Sequence, residues 1–208
     1  MKFSTITFLG LCLVATLTAC GDDHGHDHDH HGHDHENEVM TTVNLTFSPA
    51  SGGDNLVFTW RDADGTANPV IDDITLAEGE TYTLDIQILN ELEDPAEDVT
   101  AELQDELDEH QFFITGSAVS GPASDSDMAL MTHAYADVDG SGNPVGLANT
   151  IETIAAGTGG LKISLRHMPP VNDMPVKTAD LADLVKAGDL SSLPGNFDIQ
   201  VEFNVTVQ

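Results

Sequence analysis

Two stretches of the chain alternate strictly between apolar and polar residues. Residues 80–89 (ETYTLDIQIL) set Tyr82, Leu84, Ile86 and Ile88 on one side, and residues 198–207 (DIQVEFNVTV) repeat the pattern at the C-terminus. Successive side chains of a strand point to opposite faces, so a two-residue period predicts a strand buried on one face. The same holds for residues 39–47, where Val43, Leu45 and Phe47 align, and for 56–60, with Leu56, Phe58 and Trp60. Shorter apolar runs predict strands over 71–76, 111–115, 128–136, 147–154 and 161–167, with the last two broken by the glycines of 157–160. Small, Asn, Asp and Pro residues predict loops over 48–55, 61–69, 116–127, 137–144 and 168–176.

The period changes twice. Asp94, Pro95 and Glu97 match a helix start, and Val99, Leu103 and Leu107 form one narrow apolar stripe, as on a helix lying across an edge or end of a sheet. A second helix is predicted over 178–187, with Thr178 as cap and Gly188 as terminator. Eight or so strands with almost no helix–strand alternation predict a mainly β fold. The expected architecture is an antiparallel β-sandwich, Ig-like or jelly-roll-like, with one or two short helices.

The first residues follow other rules. Lys2 precedes an apolar run over 6–15 that is too short to span a bilayer, and Leu17-Thr18-Ala19-Cys20 has the form of a bacterial lipobox. The expectation is a lipoprotein signal peptide over 1–19, an acylated Cys20 leading an arm over 20–38, and a sandwich over 39–208. The plainer alternative is a secretory signal with an incidental cysteine. If Cys12 leaves with the signal and Cys20 carries lipid, the domain has no thiol and rests on its core.

Charge narrows the partners. Thirty-six acids against six Lys and Arg exclude the basic footprint that DNA or RNA binding demands. They also disfavour docking on anionic lipid, so membrane attachment falls to the acyl chains on Cys20.

Seven of the ten histidines lie within residues 22–38: His24, His26, His28, His30, His31, His33 and His35. In an extended chain the two-residue spacing puts several imidazoles on each side. Neutral imidazole suits zinc, with copper and nickel as alternatives. Asp27, Asp29 and Asp34 can ligate or hold the second imidazole nitrogen. The tract has nothing apolar to bury, so it is expected to order only around metal. A hydrated spacer is the alternative, although a spacer requires polarity and not histidine.

An internal echo links residues 60–70 (WRDADGTANPV) to 135–145 (YADVDGSGNPV). Asp62, Asp64, Asp137 and Asp139 stand where calcium loops place oxygen ligands, but the glycines come too early for an EF-hand. A turn built on Asp-Gly and Asn-Pro is the favoured reading. His110, His133 and His167 lie on different predicted elements. They either converge on a second metal site or sit singly in the core or at its rim. No catalytic constellation is visible, and no enzyme is expected.

The leader ending in TAC, the His/Asp run, DEHQFF, YADVDGSGNPVGL, LKISLRH and the terminal DIQVEFNVTVQ resemble a family of hypothetical envelope lipoproteins from Gram-negative bacteria. The resemblance covers nearly the whole mature chain. Some members carry a type 1 periplasmic-binding-fold label. The resemblance implies an envelope lipoprotein working beside outer-membrane receptors that import metal, and it carries over no ligand or catalytic residue. Gly21-Asp22-Asp23 is similar to the acidic tethers of surface-displayed lipoproteins, which implies the outer membrane over the inner. The expected function is therefore non-enzymatic binding of a transition metal, zinc first, in support of metal capture or uptake. The alternative is a recognition module for a glycan or protein, with the arm as its spacer.

Overall fold

The computed structural model describes residues 39–208. In chain order they form β1 (Thr42–Pro49), β2 (Leu56–Arg61), β3 (Val70–Ile71), β4 (Ile74–Leu76), β5 (Thr81–Asn90), β6 (Glu97–Asp98) and α1 (Val99–Asp105). Next come β7 (His110–Thr115), β8 (Val119–Gly121), β9 (Ser124–Asp125), β10 (Met131–Tyr135), β11 (Ala148–Thr153) and β12 (Gly157–His167). The chain closes with α2 (Leu181–Lys186), one 3-10 turn (Leu190–Ser192) and β13 (Asn196–Val207). The larger sheet runs β3-β2-β1-β5-β11-β10-β8-β9, with β6 also beside β5; the smaller runs β4-β13-β12-β7. All pairings are antiparallel except β8 with β10 and β4 with β13.

The alternating stretches set this architecture. Tyr82, Leu84, Ile86 and Ile88 of β5 are buried while the residues between them are exposed, as the two-residue period requires. They share one core with Val43, Leu45 and Phe47 of the larger sheet and with Ile163, Leu165 and Phe203 of the smaller. The expected mainly β sandwich with short helices is the fold observed. Its two short helices are not the repeated β-α-β units of a periplasmic-binding fold.

Four local expectations are corrected. Residues 71–76 do not form one strand: β3 pairs with β2 in the larger sheet and β4 with β13 in the smaller. Two adjacent acids carry the crossing. The Asp72 amide donates to the Thr59 carbonyl at 3.0 Å, while Asp73 accepts from Asn204 at 3.0 Å. The glycines of 157–160 continue β12 where a break was expected. A Cβ on Gly116 would meet the Gly160 carbonyl oxygen at 2.3 Å, and one on Gly159 would meet Ala118 at 3.1 Å, so missing side chains let residues 116–118 lie against the strand. The expected loop over 116–127 contains the hairpin of β8 and β9.

The first helix begins at Val99, with the Asp98 side chain accepting from the Thr100 amide. Glu97 and Asp98 are drawn into β6 against Leu89 and Asn90, so pairing with β5 takes the residues that sequence assigned to the helix. Thr100 pins the result: its hydroxyl accepts from the Ile88 amide at 2.8 Å and donates to the Ile88 carbonyl at 3.2 Å. Val99 and Leu103 enter the core as predicted.

Candidate metal centre

α1 ends at Asp105, and the chain turns tightly before β7, with the Glu109 amide donating to the Glu106 carbonyl at 2.9 Å. β7 pairs antiparallel with β12, and its first residue, His110, stands opposite the last, His167. Residues directly opposite on paired strands project to the same side. The two imidazoles accordingly stack, with centroids 4.5 Å apart and planes 15° from parallel. Glu106 completes a group in which one donor atom from each of Glu106, His110 and His167 lies within 4.8 Å of the others. Glu109 adds a second carboxylate, its Oε2 lying 3.5 Å from Nε2 of His167.

The tautomer of His110 follows from its partner. Its Nδ1 lies 3.1 Å from the Glu106 backbone carbonyl, which only accepts, so Nδ1 carries the proton. That leaves the lone pair of Nε2, which is buried and has no hydrogen-bond partner. A backbone carbonyl holding one ring nitrogen so that the other can bind an ion is the usual support of a metal-ligating histidine. Burial drives the His110 pKa down to about 4; the Glu106 carbonyl opposes the shift, while His167 and Lys177 add to it. The ring is therefore neutral near pH 7, the form that ligates.

A tetrahedral zinc holds its ligands roughly 3.3 Å apart, from bonds of about 2.0 Å. The three donor atoms span up to 4.8 Å, so an ion has to draw them together by up to about 1.5 Å and tilt the stacked rings. This is a partly organised site. Asp108 and Asp198 interact electrostatically with His110 and His167, respectively, while Lys177 opposes Asp108 at His110 and Arg166 shares Asp198 with His167.

Lys177 fixes the base of the site. It is 5% exposed, and Nζ donates to the carbonyls of Leu107 and His110, each at 2.7 Å. It also pairs with Asp139 Oδ2 at 3.2 Å. Burial raises the pKa of Asp139, but the Asn143 and Ser141 amides together with Lys177 more than offset this and hold it below the usual carboxylate range. Burial lowers the pKa of Lys177, and Asp139 opposes that shift.

The other sequence candidates fall elsewhere. His133, on β10 in the larger sheet, is outside the group; its Nε2 lies 2.9 Å from Asn149 Oδ1, and its ring meets Tyr135 edge-on at 4.8 Å. It behaves as a core histidine held by a neighbour. Both echo loops are hairpin connections of the larger sheet, joining β2 to β3 and β10 to β11. Asp64 and Asp139 each accept from the amide two residues on, Thr66 and Ser141. Asp62 accepts from the Ala67 amide, and Asp137 from the amides of Gly146, Leu147 and Ala148. These are the contacts of hydrogen-bonded turns. Cys20, His24, His26, His28, His30, His31, His33, His35, Asp27, Asp29 and Asp34 lie outside the described residues.

Glu106 and Glu109 were not singled out from the sequence. The available signal was Glu106 four residues before His110, a ligand spacing on a helix. Here that spacing falls on the turn after α1. No family model, curated protein or solved structure matches the chain.

Proposed function

We propose that this protein binds a transition metal ion, zinc first, through Glu106, His110 and His167, and collects further ions on its His-rich arm. The observation that carries the proposal is the bare, buried Nε2 of His110, aligned by a backbone carbonyl beside a second imidazole and a carboxylate. Copper and nickel take the same donors, so the ion is chosen partly by supply. His110 is almost wholly buried, which suits holding or relaying an ion better than turning over a substrate. Together with an acylated Cys20 and a surplus of acids, this supports a non-enzymatic lipoprotein that captures metal in the cell envelope and serves an outer-membrane import receptor. The arm gathers ions, and the domain keeps one.

The test is calorimetric zinc titration of three forms: the full-length protein, one with the seven arm histidines replaced by Ser, and one that adds His110→Asn and His167→Asn. The expected result is several ions for the first, one for the second and none for the third. A second form that takes no zinc overturns the assignment of the domain site.

A further inference from the structure

The outer face of the smaller sheet is covered by α2, the 3-10 turn and β9, and between cover and sheet lies a cleft of about 300 Å³. That volume is at the lower end of the range for small-molecule sites. Its polar floor comes from Lys162 and Ser164 of β12 and Gln200 of β13, and its apolar wall from Val185, Leu190 and Phe197. Lys186, at the end of α2, lines it as well.

The distribution of positive charge singles this cleft out. The described residues contain five Lys and Arg in a chain of net charge −30. Three have protein partners. Arg61 is bound to Glu91. Arg166 donates to the carbonyls of Leu193, Pro194 and Gly195 and lies over the Phe197 ring at 4.5 Å. Lys177 holds Asp139 and two carbonyls. Lys162 and Lys186 are the two with no ion pair or hydrogen bond among the described residues, and both line this cleft. Where acids outnumber bases six to one, a lysine placed without regard to charge tends to meet a carboxylate. Glu202 stands opposite Lys162 on β13 and Asp183 lies one turn before Lys186, yet neither pairs with its lysine. Two unpaired ammonium groups at one concavity, beside the exposed Leu190 and the half-buried Val185 and Phe197, present the complement of an amphipathic anion.

We propose that this cleft binds a small aromatic carboxylate, its carboxylate between the ammonium groups of Lys162 and Lys186 and its ring against Val185, Leu190 and Phe197. Ser164 and Gln200 supply neutral hydrogen-bonding groups to the carboxylate oxygens. Asp125, which also lines the cleft, disfavours a dianion such as phosphate and favours a single negative charge. The proposal does not depend on the metal reading, since its residues are distinct from Glu106, His110 and His167.

The experiment is an amide chemical-shift titration of the isotope-labelled full-length protein with phenylacetate, phenylacetamide and acetate. Phenylacetate is expected to give saturable shifts at Lys162, Ser164, Val185 and Gln200. Phenylacetamide, which keeps the ring and loses the charge, and acetate, which keeps the charge and loses the ring, are each expected to bind about tenfold more weakly. Replacing both lysines (Lys162→Gln with Lys186→Gln) is expected to weaken phenylacetate about tenfold and leave phenylacetamide unchanged. Absence of saturation, shifts centred on other residues, equal binding of acid and amide, or unchanged phenylacetate binding in the double variant overturns the proposal. Should the double variant fail to fold, the comparison of acid with amide on the wild-type protein still decides it.

Discussion

Lys177→Met tests whether the buried ammonium holds the site together. Three acceptors converge on Nζ: the carbonyls of Leu107 and His110 at 2.7 Å and Asp139 Oδ2 at 3.2 Å. Methionine has nearly the same length and no donor. Its substitution strands two carbonyls and leaves the Asp139 carboxylate, whose side chain is fully buried, without its counter-charge. Breaking a buried pair from one side costs about 3–5 kcal/mol. Asp139 keeps the Ser141 and Asn143 amides, which places the loss toward the lower end. A domain of this size loses roughly 2–4 °C of melting temperature per kcal/mol, so a drop of about 6–12 °C is expected. Urea denaturation followed by circular dichroism measures the free energy, and a double-mutant cycle with Asp139→Asn isolates the pair. The double variant is expected to recover part of the loss, because a neutral amide no longer needs the ammonium. A single-variant cost below about 1 kcal/mol, the value of an exposed ion pair, would refute the reasoning. Strict additivity in the cycle would refute it too.

Other consequences are equally open to measurement. Burial holds the His110 pKa at about 4, against an ordinary 6.5, so the metal-free unfolded chain takes up a proton that the folded one refuses. Stability from this residue is complete above pH 6.5 and falls by about 3 kcal/mol as pH drops to 4; chelator-treated His110→Asn should show a flatter acid limb in urea titrations. Gly195 has φ +71, and a Cβ there would come 1.8 Å from the His167 carbonyl oxygen. Gly195→Ala adds the left-handed penalty of about 1–2 kcal/mol to a backbone clash, so its melting temperature should fall clearly, and a melt within 1–2 °C of wild type on that same per-kcal scale would contradict the contact.

Much of the sandwich was legible because alternation is a local property. β5 and β13 could be read residue by residue, since each carries its apolar face in its own sequence. The site was half legible. His110 and His167 stood out as histidines beside strands, but their stacking depends on β7 pairing with β12 in one register, and nothing local specifies that register. His133 looked equivalent and falls in the other sheet for the same reason. Glu106 was hidden among the surplus of acids, where a ligand looks like any solvated carboxylate. The division of residues 71–76 was hidden because Asp72 and Asp73 sit inside one short apolar run that reads as a single strand, when each joins a different sheet. Lys177 lies between the proline-rich loop over 168–176 and the predicted second helix, and nothing local marks it for burial, since lysines are usually exposed. Only the fold supplies the acceptors that let it be buried.

The domain site can be separated from the arm by thermal denaturation of the full-length protein with and without zinc. The sequence predicts no fold for the arm, so zinc taken up there favours neither state of the domain, whereas an ion held by Glu106, His110 and His167 favours the folded one. At a hundred times its dissociation constant such an ion adds about 2.7 kcal/mol, or roughly 5–11 °C. The account predicts that rise for the wild-type protein and none for the His110→Asn and His167→Asn double variant, each compared with its own zinc-free melt. An equal rise in both, or no rise in either, contradicts a metal site in the domain.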